Sequence, residues 1–184
     1  MRRNQFGITA GLVVLALFCM ASTPRAEMKI GYIDAQEILA KYKPYQDAER
    51  EYQRYEEELR REISKQQNDL VQMQEDYKRQ ELMLSDNRKQ EEQQAMMKKQ
   101  QDLERFVSEI TDPERGKLVL KNQSLSEPIF REVNEVVTEV AKAEGYHYVL
   151  NTSALAYADE SLNLTETVLE TLEKKLKELE AAGQ

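Results

Sequence analysis

His147 is the first residue to consider for catalysis, because histidine is the commonest general acid or base near neutral pH and this chain has only one. It lies between Tyr146 and Tyr148 in a β-rich segment. The sequence around it has no pattern of nucleophile or paired carboxylates typical of a catalytic site. We therefore interpret His147 as a structural residue and predict no catalytic residue and no enzyme activity.

Carboxylates are the second group that could do chemistry, since the chain has 34 acidic and 26 basic residues. Most acids fall in helical segments beside Lys and Arg, at spacings such as Glu58 to Glu62. This pattern is typical of a solvated helix surface and not of a metal site. No glycine-rich phosphate loop occurs either. The sequence predicts no metal and no cofactor.

Methionines suggest a different kind of site, because flexible thioether side chains suit a surface that must fit many partner sequences. Together with neighbouring apolar residues they give a candidate contact surface of Met73, Tyr77, Met83, Leu84, Met96 and Met97. The alternative is that these side chains only fill the interface between two helices. The heptad pattern places Met73 and Met96 inward and leaves Met83 and Met97 outside it.

Four tyrosines, Tyr42, Tyr45, Tyr52 and Tyr55, follow one another three, seven and three residues apart, which places them on one helical face. They either pack between helices or provide an aromatic lining for a cavity. The sequence favours packing, because buried tyrosines commonly contribute area while the hydroxyl stays at the edge.

A long helical region must carry these side chains. No glycine occurs between Gly31 and Gly116, and no proline occurs from Tyr45 to Asp112. Apolar residues recur there in heptads, in two registers: Ile38, Tyr45, Tyr52, Leu59, Met73, and Tyr42, Ile63, Leu70, Tyr77, Leu84. The second half continues with Met96, Leu103, Phe106 and Ile110. The sequence predicts coiled-coil-like helices.

Strands are predicted at both ends of this region, at Met28 to Asp34 and Tyr146 to Asn151, with a further short strand at Ala154 to Tyr157. If the end strands share a sheet, the helices must go out and return. Ser85-Asp86-Asn87 is the nearest turn-forming cluster to the midpoint, so we predict an antiparallel hairpin with its tip there. The alternative is one uninterrupted rod, which would keep the strands far apart.

Helix boundaries are predicted from proline and capping residues. Pro44 is expected to kink the first helix or to separate a short helix from the long one. Asp112 is predicted as an N-cap with Pro113 in the first turn of the next helix. An apolar helix is expected from Ile129, and Thr165 is predicted to cap a C-terminal helix that docks on the body.

The body is expected to bury apolar side chains of the strands and of the helix from Ile129, either within the chain or between chains. The predicted body and oligomer core is Ile30, Tyr32, Val133, Val136, Val140, Tyr146, Tyr148, Leu150 and Tyr157. With 33% charged residues and no tryptophan, the chain has little material for a monomeric core. Oligomerisation would bury more surface.

Residues 1–26 are typical of a secretory signal peptide, with Arg2 and Arg3 before an apolar run from Ile8 to Met20. Cleavage is expected after Ala26, or alternatively after Ala21. The mature chain would keep 23 basic and 34 acidic residues, a net charge of −11, which argues against unaided nucleic-acid binding. The single cysteine, Cys19, would be lost, so no disulfide is expected.

Several strings in order resemble the Skp (OmpH-like) family of periplasmic chaperones. They are Lys29-Ile30-Gly31-Tyr32-Ile33-Asp34, the charged helical hairpin, Glu114 to Leu118, Val140 to Leu150, and Ala156 to Asp159. One departure is Asn163-Leu164-Thr165, where the family commonly has Asp before the apolar residue. Some members are strongly basic whereas this chain is acidic, so contact with lipopolysaccharide or anionic lipid is left open by the sequence.

The resemblance implies an α+β homotrimer with a small β-sheet body and long protruding antiparallel helical hairpins. The implied organisation is a single chaperone domain over 27–184, with the body at 27–40 and 129–184 and the arms at about 41–128. The implied function is that of an ATP-independent periplasmic holdase, which keeps unfolded outer-membrane β-barrel proteins in a cavity between the arms. The alternative is a structural or adaptor hairpin protein of the cell envelope.

Overall fold

The computed structural model describes residues 28–183, so the predicted signal peptide lies outside the described residues. The helices are α1 (Ala35–Lys41), α2 (Lys43–Gln80), α3 (Asp86–Thr111), α4 (Lys117–Ala143) and α5 (Thr165–Ala182). The strands are β1 (Ile30–Ile33) and β2 (Tyr148–Asn151). The fold is therefore mostly helical with one small sheet. Its longest helix, α2, has 38 residues and a length of about 57 Å.

The two strands pair in parallel, with Ile30 opposite Tyr148 and Ile33 opposite Asn151. The ends of the long helical region therefore share one sheet. The strand predicted at Ala154 to Tyr157 is wrong. The Asn151 side chain accepts a hydrogen bond from the Ser153 N–H, which starts a 3₁₀ turn at Thr152–Ala154 directly after β2. Asn163, and not that segment, forms a further isolated bridge to Tyr32.

One hydrophobic core lies where α1, α4 and α5 meet beneath the sheet. Its fully buried side chains include Ile38, Tyr42, Val136, Val168 and Leu172. The inward residues of the strands, Ile33 and Val149, pack against it. The predicted apolar face of α4 is confirmed, because its buried positions are Ile129, Val133, Val136 and Val140.

The expected interruption near Pro44 is present at Tyr42, which has extended backbone and separates α1 from α2. Proline fits the first turn of α2 because N–H groups there have no acceptor within the helix.

The long helical region is also interrupted between α2 and α3, so the alternative of one uninterrupted rod is wrong. Residues 81–85 form the turn, which the predicted tip overlaps at Ser85. The Ser85 side chain accepts a hydrogen bond from the Arg88 N–H and caps α3. Across the two helices Tyr77 bonds to Gln93, and Asp69 pairs with Lys99.

The junction between α3 and α4 differs from the prediction at Asp112. Its carboxylate accepts hydrogen bonds from the N–H groups of Glu114 and Arg115 and holds a turn that contains Pro113. The helix therefore resumes only at Lys117, after Gly116. From there α4 is continuous through Pro128, so the apolar helix begins well before Ile129.

The start of α5 is also different, because Leu164 and not Thr165 occupies the N-cap position. The Thr165 hydroxyl donates to the Asn163 side-chain oxygen at 2.6 Å and accepts from the Asp34 N–H at 2.8 Å. Asn163 thus performs a hydrogen-bonding role that an aspartate could also perform, which accounts for the departure from the family pattern at that position.

Candidate interaction surfaces

One face of the two-stranded sheet is apolar and exposed in the single chain. Alternation along the strands sends Gly31, Ile33 and Val149 toward the core. The opposite face carries Ile30, Tyr148 and Leu150, of which Tyr148 is 57% exposed. Tyr157 is also largely exposed, whereas Tyr32 is half-buried. Among the described residues 28–183, this sheet face is therefore an exposed apolar patch of the body.

The residues predicted as body or oligomer core therefore separate into two groups. Val133, Val136 and Val140 are buried in the core of the chain, and Tyr146 packs against that core. Ile30, Tyr148, Leu150 and Tyr157 lie at the surface of the chain, and Tyr32, on the same sheet face, is half-buried. A covering surface from outside the chain would be needed to bury the second group.

His147 lies at the entrance of the sheet, next to Lys29. The His147 Nδ1 accepts a hydrogen bond from the Lys29 N–H at 3.1 Å, and the His147 N–H donates to the Lys29 carbonyl at 2.8 Å. The Lys29 ammonium lies 3.8 Å from the centre of the Tyr146 ring and donates to the Glu144 carbonyl. These contacts join β1 to the end of α4, which supports the interpretation of His147 as a structural residue.

The predicted contact surface also divides. Met73, Tyr77, Leu84 and Met96 are half-buried along the contact between α2 and α3. A shallow groove of about 140 Å³ is lined by Met73, Tyr77 and Leu84 with polar neighbours. That volume is well below the ~300–1,000 Å³ of typical small-molecule sites. Met83 and Met97 are outside the contact and are 82% and 61% exposed.

Near the distal turn, Leu82 and Val71 are exposed apolar residues that were not singled out from the sequence. Leu82 in the turn is 97% exposed, and Val71 on α2 is 51% exposed. Leu82 could have been found as part of the apolar string Leu82-Met83-Leu84 in a turn. Val71 lies outside both heptad registers, which is a signal of exposure.

Of the four tyrosines on one helical face, the first two pack between helices. Tyr42 is buried in the core, and burial, followed by the neighbouring Glu132 carboxylate, raises the pKa of its hydroxyl. The Tyr45 ring lies 6.4 Å from the Phe130 ring of α4, between centroids. Tyr52 and Tyr55 are half-buried.

Charged side chains connect the helices along their length. Lys121 on α4 pairs with Glu51 on α2 at 2.5 Å, and this lysine lowers the pKa of the Glu51 carboxyl. Lys175 on α5 pairs with Glu139 on α4 at 2.5 Å.

Over residues 28–183 no group of His, Cys, Asp and Glu has the arrangement of a metal site. Within the same range no helix combines the length and apolarity that a membrane span requires.

Comparisons with known proteins find a matching family, a similar sequence and a similar fold. The sequence model of the family described as "Outer membrane protein (OmpH-like)" matches residues 29–172. A relative described as "Chaperone protein Skp" from Vibrio cholerae is 26% identical over 174 residues, covering 88% of this chain and 94% of the relative. A crystal structure of an OmpH-like protein from Caulobacter crescentus gives a TM-score of 0.72 at 10% identity and covers 84% of this chain and 89% of its own. At that identity the structural likeness shows a shared fold.

Proposed function

The chain belongs to the OmpH-like outer membrane protein family, and on this premise we propose that it is an ATP-independent holdase chaperone of the periplasm. Its proposed clients are unfolded outer-membrane β-barrel proteins. The observation that carries the proposal is the family match over residues 29–172, which includes the sheet and all the long paired helices. The chaperone name of the Vibrio cholerae relative supports the same role.

The proposed arms are α2 and α3, packed as an antiparallel, coiled-coil-like hairpin. Two contacts support this arrangement. Tyr77 bonds to Gln93 near the turn, and Asp69 pairs with Lys99 farther from it. As the residue number falls along α2 it rises along α3, which is the pattern of two helices that run in opposite directions. The first part of α4 continues the returning arm, because Lys121 pairs with Glu51 near the root of α2.

The proposed assembly is a homotrimer in which the exposed sheet face of each chain meets its copies. Ile30, Tyr148 and Leu150 support this interface, because burying them removes aromatic and aliphatic surface from water at about 25 cal/mol per Å². Three arms around one body would then enclose a cavity. We propose that Met73, Tyr77, Met83, Leu84, Met96 and Met97 contribute client contacts there.

The proposed mechanism is stoichiometric. Many weak contacts from three arms keep a client dispersed, because tethering the arms to one body raises the effective concentration of each contact. A client that stays disordered inside the cavity loses little conformational entropy on binding. No deep groove and no nucleotide hydrolysis are therefore required.

The test is suppression of aggregation. A bacterial outer-membrane β-barrel unfolded in urea is diluted into buffer with the purified chain, without ATP, and light scattering is followed. The expected result is full suppression near one trimer per client, with a soluble complex of that mass in sedimentation. Aggregation at the rate of the client alone, or suppression only when ATP is added, would contradict the proposal.

A further inference from the structure

The two long sides of the hairpin differ sharply in charge. The ion pair Asp69–Lys99, at 3.6 Å, marks one side. Val71 lies two residues after Asp69, and Met97 lies two residues before Lys99. Two residues correspond to a rotation of about 200° around the helix axis. Both exposed apolar side chains therefore lie on the side opposite the ion pair. Because Val71 follows Asp69 by two residues and Met97 precedes Lys99 by two, the two positions lie at about the same height on α2 and α3.

The nearest residues on the side of Val71 and Met97 are uncharged amides, and charged residues return one step farther along, at Lys78 on α2 and Glu104 on α3. On α2 the neighbours at helical spacing are Gln67 and Gln74, and on α3 they are Gln90 and Gln93. All are exposed. We define the amide face as Gln67, Val71, Gln74, Gln90, Gln93 and Met97.

The opposite side carries charge at the corresponding spacings. Glu62, Asp69 and Asp76 follow one another seven residues apart on α2, and Lys99 and Asp102 lie on α3. In a region this rich in Glu, Lys, Asp and Arg, a neutral side extending over about two turns of each helix is a distinct surface.

We propose that the amide face is the side of the arm that contacts the backbone of an unfolded polypeptide. This inference rests on the proposed function and adds a set of client contacts to those proposed there, with Met97 common to both sets. A glutamine side chain has two N–H donors and one carbonyl acceptor, the same groups that an unfolded chain presents along its backbone, and one N–H of Gln93 is already donated to Tyr77. Val71 and Met97 add adaptable apolar contact at the centre of the face.

Charge matching selects this occupant. The face has no Lys or Arg to neutralise phosphates, which disfavours a nucleic acid or an anionic lipid surface. Its apolar content is two side chains, far less than the interface of a stable second copy requires. Backbone groups carry no net charge and recur in every sequence, so a neutral amide surface accepts clients of any composition.

The direct test is site-specific photocrosslinking on the full mature chain. A benzophenone side chain is placed at Val71 or Met97, and matched controls carry it at the adjacent positions Gln72 or Lys98, which point away from the amide face. The probe is a urea-unfolded outer-membrane β-barrel. We expect severalfold more client crosslinking from positions 71 and 97 than from 72 and 98. Equal yields, or crosslinks from 71 and 97 only to another copy of the chain, would overturn the proposal.

A charge test provides a second readout with its own matched control. The double variant Gln74→Glu and Gln90→Glu adds two negative charges to the amide face. The matched double variant Gln72→Glu and Gln94→Glu adds two negative charges outside the amide face, at similar distances from the hairpin turn. The first pair is expected to raise the chaperone-to-client ratio for half suppression severalfold, while the second leaves it near that of the parent. Equal effects would overturn the amide face alone, whereas failure of the parent chain to suppress aggregation would overturn the proposed function itself. Circular dichroism and sedimentation verify that each variant keeps its helices and assembly.

Discussion

Asp34 and Thr165 are joined by a hydrogen bond of 2.8 Å from the Asp34 N–H to the Thr165 hydroxyl, across 131 positions of sequence. Thr165 is the buried polar residue beside the core. Because the Asp34 side chain also accepts from the Glu37 N–H, this one residue caps α1 and fixes the start of α5 to the end of β1.

Thr165→Val should lower the free energy of unfolding by about 1–3 kcal/mol, because the shape is kept while the Asp34 N–H loses its acceptor. Urea unfolding at a fixed protein concentration measures the change. Thr138→Val is the control, since the Thr138 hydroxyl only bonds to the Asn134 carbonyl of its own helix at the surface. A loss no larger than that of the control would mean that the Asp34 contact contributes nothing.

Three chains per particle are expected in sedimentation equilibrium at micromolar concentration. Tyr148→Glu with Leu150→Glu should shift the particle toward monomer, because carboxylates on the sheet face would be buried without partners. The pair Leu82→Glu and Met83→Glu in the distal turn is the control and should stay trimeric. If both double variants sediment like the parent, the sheet face is not the interface.

Cysteines at Tyr77 and Gln93 should be joined within one chain by a short bis-maleimide reagent, because the hydrogen bond between these two long side chains places the two positions opposite each other on α2 and α3. A matched pair of cysteines at Tyr77 and Gln101 is displaced by about 12 Å along α3 and should be joined much less efficiently. Denaturing electrophoresis separates products joined within one chain from products joined between chains. Products joined only between chains would argue against the antiparallel hairpin.

Asp112 should make stability pH-dependent. The N–H groups of Arg115 and Glu114 lower the pKa of its carboxyl. Because the pKa of the Asp112 carboxyl is lower in the folded than in the unfolded state, its stabilising effect is fully present above the unfolded-state pKa of about 3.9. This stabilisation is lost as the pH falls through the folded-state pKa. Asp112→Asn should therefore be less stable than the parent at pH 7, and the difference should shrink toward pH 2. A difference that stays constant across this range would exclude the carboxylate as its source.

Periodicity explains which parts of the fold could be predicted from the sequence. The stripe from Ile129 to Val140 repeats at helical spacing and is buried as expected. The strand at Ala154 to Tyr157 could not be excluded, because the Asn151 side chain that ends β2 acts through a local hydrogen bond. The helix restarts only at Lys117, because the Asp112 carboxylate accepts hydrogen bonds from the turn that precedes it. The sequence pattern fits both this turn and a helix N-cap at Asp112, so it could not distinguish them.

The candidate surfaces were harder to predict, because exposure depends on how helices are placed beside each other. The heptad pattern predicts Met73 and Met96 inward and Met83 and Met97 outward, and the first two are half-buried while the last two are exposed. The amide face, in contrast, appears only once the Asp69–Lys99 contact fixes the rotation of α2 and α3 relative to each other.

The parallel pairing of β1 and β2 has a consequence for the order of folding. β1 has no strand partner until residues 148–151 have emerged, after the whole of α2, α3 and α4. The turn at residues 81–85 brings α2 and α3 together through a short loop, whereas closing the sheet requires a very long one. Contacts of low sequence separation generally form faster, so we expect the arms to assemble before the body. The body would therefore close last, and only then would a complete sheet face be available to other chains.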